Sequence, residues 1–204
     1  MIERDYSIIK AVERFHCLSR DDIIALFFSQ TKSPITAANK ILRRLIDRCF
    51  LKVDRDASPF IYFPAGSKMA FNSQKIIHYR SIFKTYMQMA RLGSLRRFEI
   101  EPRIGGKGTV EPDIFAIWHG TPFFVEVQLS NYTSDIMLKK IARYEQYHVS
   151  RQWEVLDWQR ANKKVFPIIW IIGERQYSGI SNVMQTRTVQ EMCDKMRKLA
   201  RTAP

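Results

Sequence analysis

The sequence contains little cysteine and no long hydrophobic run, and each shortage excludes a class of protein. Its three cysteines, Cys17, Cys49 and Cys193, are far apart and match no zinc-ligand spacing, which indicates reduced thiols in a cytosolic protein. The longest apolar run, 165–172, covers eight residues, far fewer than the ~20 that span a bilayer. The charged first residues contain no apolar segment of a secretory signal. We therefore expect a cytoplasmic protein without a membrane segment.

Acidic residues are outnumbered by basic ones, 20 against 33, and the formal net charge is +13. Residues 1–98 hold 18 basic and 8 acidic residues, a net of +10, whereas residues 99–204 hold 15 and 12, a net of +3. This distribution favours a polyanion-binding module joined to a more neutral one, with nucleic acid as the first partner to consider. A hydrophobic fraction of 46% excludes a disordered chain, and the length allows one large or two small domains.

Residues 1–68 have the pattern of a small helical domain. Apolar residues at helical spacing predict a first helix over about 4–16, Ser19 is placed to cap a second helix, and Ser33-Pro34 begins a third. The third helix is expected to bury one apolar face, which consists of Ile35, Ala38, Leu42, Leu45 and Ile46.

Two short strands, 51–55 and 60–64, are predicted after the third helix. Three helices followed by a hairpin resemble a winged helix-turn-helix domain, in which the third helix enters the major groove and the hairpin contacts the backbone. The alternative is a solvated basic face on an ordinary helical bundle, but seven basic against two acidic residues over 32–55 favour DNA. The resemblance implies that the DNA-facing residues are Thr36, Asn39, Lys40, Arg43, Arg44, Lys52 and Arg55.

Residues 69–94 are expected to form a connecting segment. Its helix, 74–93, has little polar face and is predicted to end at Gly93. Such a helix is either buried between the two modules or forms the contact surface of a homodimer, and the sequence leaves both open.

Residues 95–204 predict an α/β module (α+β for the chain as a whole) with a mixed central sheet flanked by helices. The glycine-rich loop Gly105–Gly108 is expected to be a flexible hairpin or a substrate-facing loop. The predicted elements, in order, are strands near 95–102, 110–118 and 123–129, a helix over 133–150, a strand over 165–172 and a helix over 182–201.

Carboxylates occur where two of these strands meet. Pro112-Asp113 begins one strand, and Glu126-Val127-Gln128 ends the next. An ionised Glu126 in an apolar strand is costly unless a metal, a cation or strong hydrogen bonds compensate it. With Asp113 across the hairpin and the Val127 carbonyl beside it, the donor set suits Mg²⁺ (or Mn²⁺), which would polarise a phosphate and activate water.

This arrangement resembles the PD-(D/E)xK nuclease superfamily, with Gln128 where that family usually has lysine. Some restriction enzymes of the superfamily carry glutamine there, and some members supply the lysine from the following helix. Lys139 and Lys140 are the candidates here, and Lys140 shares a helix face with Tyr144. The resemblance implies that the catalytic residues are Asp113, Glu126, Gln128 and Lys140, and that the metal ligands are Asp113, Glu126 and Val127.

Simpler interpretations of the same residues remain open. In one of them, Glu126 forms a structural ion pair with Lys140 or Arg143 and has no role in catalysis. Three further acids are candidates for an accessory position near the metal: Glu99, Glu101 and Glu111.

The whole layout, with Lys139–Tyr147 after the second acidic strand, is similar to the replication-relaxation family of bacterial plasmids, phages and mobile elements. That similarity implies a role in DNA replication or processing. Two hypotheses follow: a metal-dependent DNA endonuclease, or a catalytically inactive DNA-binding replication or transcription regulator on a nuclease-like scaffold.

Overall fold

The chain is a mixed α/β protein that divides into two compact units, Met1–Phe83 and Lys84–Pro204. The computed structural model describes residues 3–104, 109–129 and 133–202, so the predicted Gly105–Gly108 loop lies outside the described residues. Each unit has its own sheet. Among the described helices, none combines the length and the apolar character needed to cross a membrane.

The first unit contains three helices and a three-stranded antiparallel sheet in the order β1-β3-β2. The two-residue strand β1 pairs with β3 and is absent from the sequence prediction, because two residues show no alternation. The elements are α1 Glu3–Phe15, β1 Leu18–Ser19, α2 Arg20–Phe27, α3 Pro34–Asp47, β2 Leu51–Asp54 and β3 Ile61–Pro64.

Local signals place the second and third helices. The Ser19 side chain accepts a hydrogen bond from the Asp22 N–H at 3.2 Å, and the Asp22 carboxylate accepts one from the Ser19 N–H at 2.9 Å, which confirms the predicted cap as a full capping box. Helix α3 begins at Pro34 as predicted, although the Ser33 side chain makes no capping bond. The prediction that Ile35 is buried is wrong: Ile35 lies in the first turn, 55% of it is exposed, and the buried face begins at Ala38.

The second unit contains a five-stranded mixed sheet in the order β4-β5-β6-β7-β8. Strands β4, β5 and β6 are antiparallel neighbours, whereas β6, β7 and β8 are parallel neighbours. The elements, with a helix that begins in the first unit, are α4 Lys75–Arg91, β4 Leu95–Ile100, β5 Ile114–Trp118, β6 Thr121–Val127, α5 Ser134–Ser150, a 3-10 helix Gln152–Val155, β7 Ile168–Ile172, β8 Val183–Thr186 and α6 Val189–Thr202.

The C-terminal helix is shorter than predicted. A helix over 182–201 is wrong for its first residues, because Val183–Thr186 forms strand β8 beside β7 and the helix begins only at Val189. A four-residue strand carries too little periodicity to separate it from a helix in the sequence.

The β5–β6 hairpin positions the carboxylates. His119 and Gly120 form its two-residue turn with φ of +48° and +77°, the signs of a type I′ turn, whose twist matches that of the strands. This turn pairs Ile114 with Val125, so Asp113 lies one step beyond, toward Glu126. The face of the sheet that carries Glu126 packs against α5 through an apolar cluster that includes Phe115, Phe124, Met137, Ile141, Tyr144 and Ile171.

Helix α4 buries most of its apolar side chains. Ile76, Ile82, Phe83 and Met89 are buried, whereas 56% of Ile77 is exposed. The helix ends at Arg91, and Gly93 follows with a φ of +89°, the left-handed conformation that glycine adopts after a helix.

Candidate active site

Glu126 is a buried carboxylate with two side-chain donors. It lies on β6 and is 1% exposed. Lys140 donates to Oε2 and the Tyr144 hydroxyl donates to Oε1. Both donors come from α5 and are four residues apart, so one face of that helix contacts both carboxylate oxygens.

Asp113 is held next to Glu126 by the backbone. Its Oδ2 accepts a hydrogen bond from the Val127 N–H at 2.7 Å, and its carbonyl accepts one from the Glu101 N–H at 2.9 Å. The first bond ties the Asp113 carboxylate to the end of β6, directly after Glu126. The hairpin therefore brings together the two acids that the sequence places 13 residues apart.

The electrostatic environment of Glu126 opposes its ionisation. The pKa of Glu126 is raised to about 7: burial is the largest cause and repulsion from Asp113 adds to it, while Lys140 and Tyr144 act in the opposite direction. Burial and the neighbouring Glu126 also raise the pKa of Tyr144 well above its usual value, so its hydroxyl remains a donor. A carboxyl group that titrates near neutral pH in a polar cluster is typical of functional sites, although ion-pair networks also produce it.

Gln128 lies just beyond β6 in a tightly packed position. Its N–H donates to the Ile172 carbonyl at 2.8 Å. A Cβ atom on Gly173 would lie 2.7 Å from the Gln128 carbonyl oxygen and 2.8 Å from its Cβ, so only glycine permits this approach. The role of Gly173 is not predictable from the sequence, because nothing in the local pattern shows which strand it faces.

The site residues fit a hard divalent cation in donor type. Asp113, Glu126 and the Val127 carbonyl offer oxygen atoms only, and each carboxylate oxygen has a second lone pair beside the one that accepts a hydrogen bond. Within the described ranges there is no group of three or more His, Cys, Asp or Glu side chains arranged for a metal. A cation at Asp113 and Glu126 would therefore keep several waters, as Mg²⁺ usually does.

The three candidate accessory acids have separate surroundings. Glu99 accepts a hydrogen bond from Arg97 Nε at 2.5 Å. Glu111 is exposed, and Glu101 is exposed with a φ of +44°. The structural ion pair that the sequence leaves open is present between Glu126 and Lys140.

Most of the predicted DNA-facing residues of α3 are exposed. Thr36, Asn39, Lys40 and Arg43 lie on its outer face. A groove of about 520 Å³ beside this face is lined by Arg20, Asn39, Arg43, Ile46, Asp47, Val53, Arg55, Phe60 and Tyr62. Arg20 is absent from the predicted set, because it belongs to α2 and reaches the groove only through the fold.

Two predicted DNA-facing residues have contacts within the first unit. Arg44 donates two hydrogen bonds, of 2.6 and 2.8 Å, to Asp5, which is 2% exposed. A buried carboxylate needs a paired cation, so this arginine stabilises the α1–α3 packing. Lys52 donates to the Ser67 carbonyl and lies 5.6 Å from the Phe71 ring centroid.

Comparison with known proteins adds no relative. No protein-family model, no curated protein and no solved structure matches this chain. The two units are therefore defined by their own geometry: a helical unit with an exposed basic helix face, and a mixed-sheet unit with a buried carboxylate cluster.

Proposed function

We propose that the protein is a DNA-binding, Mg²⁺-dependent endonuclease of the PD-(D/E)xK type that acts in the replication or processing of plasmid, phage or mobile-element DNA. One observation carries this proposal: Lys140, from the helix after the second acidic strand, reaches Glu126 beside Asp113. That lysine supplies the positive charge that Gln128 lacks.

The order of elements in each unit supports the proposal. In the second unit, the antiparallel strands β4–β6, helix α5 and the parallel strand β7 follow the arrangement expected of a PD-(D/E)xK core. In the first unit, α1, β1, α2, α3 and the β2–β3 hairpin follow the order of a winged helix. The proposed membership of the replication-relaxation family rests on this combination.

Each residue has a role in the proposed reaction. Asp113, Glu126 and the Val127 carbonyl would hold Mg²⁺ or Mn²⁺. When bound, the ion would polarise the scissile phosphate and lower the pKa of an attacking water. Lys140 stabilises the negative charge that develops on the phosphate, and Gln128 orients the phosphate by hydrogen bonding.

Cleavage of supercoiled plasmid tests the enzymatic part. We expect nicking or linearisation with Mg²⁺ or Mn²⁺ and none with EDTA. Asp113→Asn and Lys140→Gln should each lower the rate by ~10²-fold or more, because each removes a charge that acts on the transition state. Lys139→Gln is the matched control, since Lys139 is the exposed neighbour of Lys140 and has the same charge. Metal-independent cleavage, or cleavage that survives Asp113→Asn, would contradict the proposal.

Metal binding has a readout that does not depend on activity. Mg²⁺ should raise the midpoint of thermal unfolding of the wild-type protein at pH 8, because a ligand that binds only the folded state stabilises it. The same addition should leave Asp113→Asn unchanged. An equal shift in both proteins would place the ion elsewhere.

The second candidate function is a catalytically inactive DNA-binding regulator. Both oxygens of Glu126 already accept hydrogen bonds, from Lys140 and Tyr144, as in a structural ion pair. In that case the protein shifts DNA in a gel without cleaving it under any metal, and Glu126→Ala changes stability but not DNA affinity.

The outer face of α3 provides the test of DNA binding. Asn39→Ala combined with Arg43→Ala should weaken binding to duplex DNA by ~10-fold at low salt, because Arg43 would lose a phosphate contact. Lys75→Ala is the control, as Lys75 is an exposed cation of the same unit on a different helix. Equal losses in the two variants would show that net charge alone, and not this face, determines the affinity.

A further inference from the structure

A second basic site lies in the mixed-sheet unit, away from the carboxylates. A pocket of about 400 Å³ opens beside the turn of the β5–β6 hairpin, and its walls include Arg96, Trp158, Arg160 and Lys163. Its described lining residues include no aspartate or glutamate. We call it the Arg96–Lys163 pocket.

The fold leaves the cations of this pocket uncompensated. Within the described part of the chain, no ion pair involves Arg96, Arg160 or Lys163. The adjacent Arg97 differs, because its guanidinium donates to Glu99 and to Asp157. Three positive charges around one concave surface repel each other unless an anion binds between them.

A β-bulge directs Arg96 to the pocket. Leu95 pairs with Trp118 and Arg97 pairs with Ile117, so Arg96 is the extra residue of β4. Bulges commonly re-aim a side chain at functional positions, because the extra residue is free of the sheet's alternation. Arg96 is therefore available to a ligand while its neighbour Arg97 is held by carboxylates.

The loop that carries the other two cations is held in place by one side chain. The Gln159 amide donates to the Val165 carbonyl at 2.8 Å and accepts from the Val165 N–H at 3.0 Å. These two bonds close the loop that contains Arg160 and Lys163. A loop that is ordered before binding loses less conformational entropy when a ligand arrives.

An aromatic ring completes the pocket. Trp158 is half-buried, with its ring centroid 5.1 Å from that of Phe115. Base stacking on aromatic side chains, together with cations that track the backbone, is the usual means of binding single-stranded nucleic acid. An inorganic anion would contact only the cations and not the indole ring, so the combination of cations with Trp158 favours a nucleotide as the ligand.

We propose that the Arg96–Lys163 pocket binds a phosphate of a single-stranded nucleic acid, with the adjoining base against Trp158. Ile117 of the pocket lies four residues after Asp113, about 13 Å along the strand, so the pocket is separate from the acidic site. This inference rests on the proposed nucleic-acid partner but needs neither the α3 face nor metal-dependent cleavage.

Fluorescence anisotropy with a labelled single-stranded oligonucleotide in EDTA tests the pocket in the full chain. Arg160→Gln with Lys163→Gln should weaken binding ~10-fold at low salt and reduce the slope of log affinity against log salt by roughly 1 to 2. The control, Lys164→Gln with Arg201→Gln, removes the same charge from exposed cations of this unit outside the pocket. It should lower the affinity less than Arg160→Gln with Lys163→Gln does, because neither of these cations lines the pocket. Equal losses in the two double variants would overturn the proposal.

Competition identifies the source of the phosphate, and a stacking variant tests the base. Excess mononucleotide or inorganic phosphate should displace the oligonucleotide poorly, and equally effective displacement would overturn the strand assignment in favour of a free phosphate ligand.

Trp158→Phe should retain part of the affinity, and Trp158→Ala should lose more of it, because stacking requires a ring. Asn39→Ala with Arg43→Ala should leave binding of the single-stranded oligonucleotide unchanged. The pocket can then be confirmed or rejected independently of whether the α3 face binds duplex DNA.

Discussion

At the scale of single residues, Glu126 dominates the energetics of the candidate site. Its carboxylate lies in a strand whose neighbours are apolar, yet it is contacted by a cation, a hydroxyl and a second carboxylate. The cation and hydroxyl stabilise the charged form, whereas burial and Asp113 oppose it, and the opposing effects are larger. The result is a buried acid that is poised to gain or lose a proton near neutral pH.

This balance predicts a specific pH dependence of stability. The folded protein keeps the Glu126 proton up to a pKa of about 7, whereas the unfolded chain loses it near 4.5. The associated stability is therefore fully present below about pH 4.5 and is lost as the pH rises through 7. Between pH 5 and pH 8 we expect the wild type to lose about 2.5 kcal/mol more in free energy of unfolding than Glu126→Gln. Urea denaturation followed by circular dichroism measures both proteins, and parallel pH profiles would contradict the assignment.

At the scale of elements, the serines before α2 and α3 show that a capping residue in the sequence does not always form a capping hydrogen bond. Ser19 and Ser33 precede α2 and α3 in the same way in the sequence, but only Ser19 makes a side-chain capping bond. The reciprocal bond from Asp22 completes the capping box. The partner residue, and not the serine alone, therefore determines the cap.

A pair of serine variants tests this difference. Ser19→Ala should lower the free energy of unfolding by about 1 kcal/mol, because an N–H at the start of α2 loses its acceptor. Ser33→Ala should change it by less than about 0.5 kcal/mol, since no such bond exists. Urea unfolding of the two variants against the wild type measures the difference, and equal losses would show that the capping bond is not the cause.

At the scale of the whole molecule, the location of the domain boundary determines how the net charge divides between the two units. Counted to residue 98, the first half holds most of the excess, but the compact units divide after Phe83. With that division, residues 1–83 hold 14 basic and 8 acidic residues, a net of +6, and residues 84–204 hold 19 and 12, a net of +7. Both units are therefore basic, and the Arg96–Lys163 pocket accounts for part of the charge in the second.

The reactivity of the three cysteine thiols tests whether the core of each unit stays closed in the native protein. Cys17 and Cys193 are buried, Cys49 is exposed, and all three are free thiols. Burial also raises the pKa of Cys17 to about 12, which further lowers its reactivity. In the native protein a thiol reagent should modify Cys49 rapidly and the other two only after denaturation. Rapid modification of more than one thiol in the native state would show that a core opens readily.

How much of the candidate site could be predicted from sequence depends on the range of each contact. The hairpin itself is local, so its two strands follow from the sequence pattern, but the predicted turn over 119–122 is wrong. The observed two-residue turn at His119-Gly120 sets the register that brings Asp113 toward Glu126. Gly173 lies 45 residues after Gln128 in the chain, and its contact depends on parallel pairing of β6 with β7. No local signal identifies that contact.

Taken alone, the sequence determined the mixed α/β class, the start of each N-terminal helix and the hairpin that carries the two carboxylates. These features depend on periodicity, capping and turns, which act over a few residues. The tertiary structure alone decided that Arg44 binds Asp5, that β8 joins the sheet and that Arg96, Arg160 and Lys163 share one pocket. Each of these depends on packing between residues far apart in the chain, where burial and charge pairing are determined by the fold as a whole.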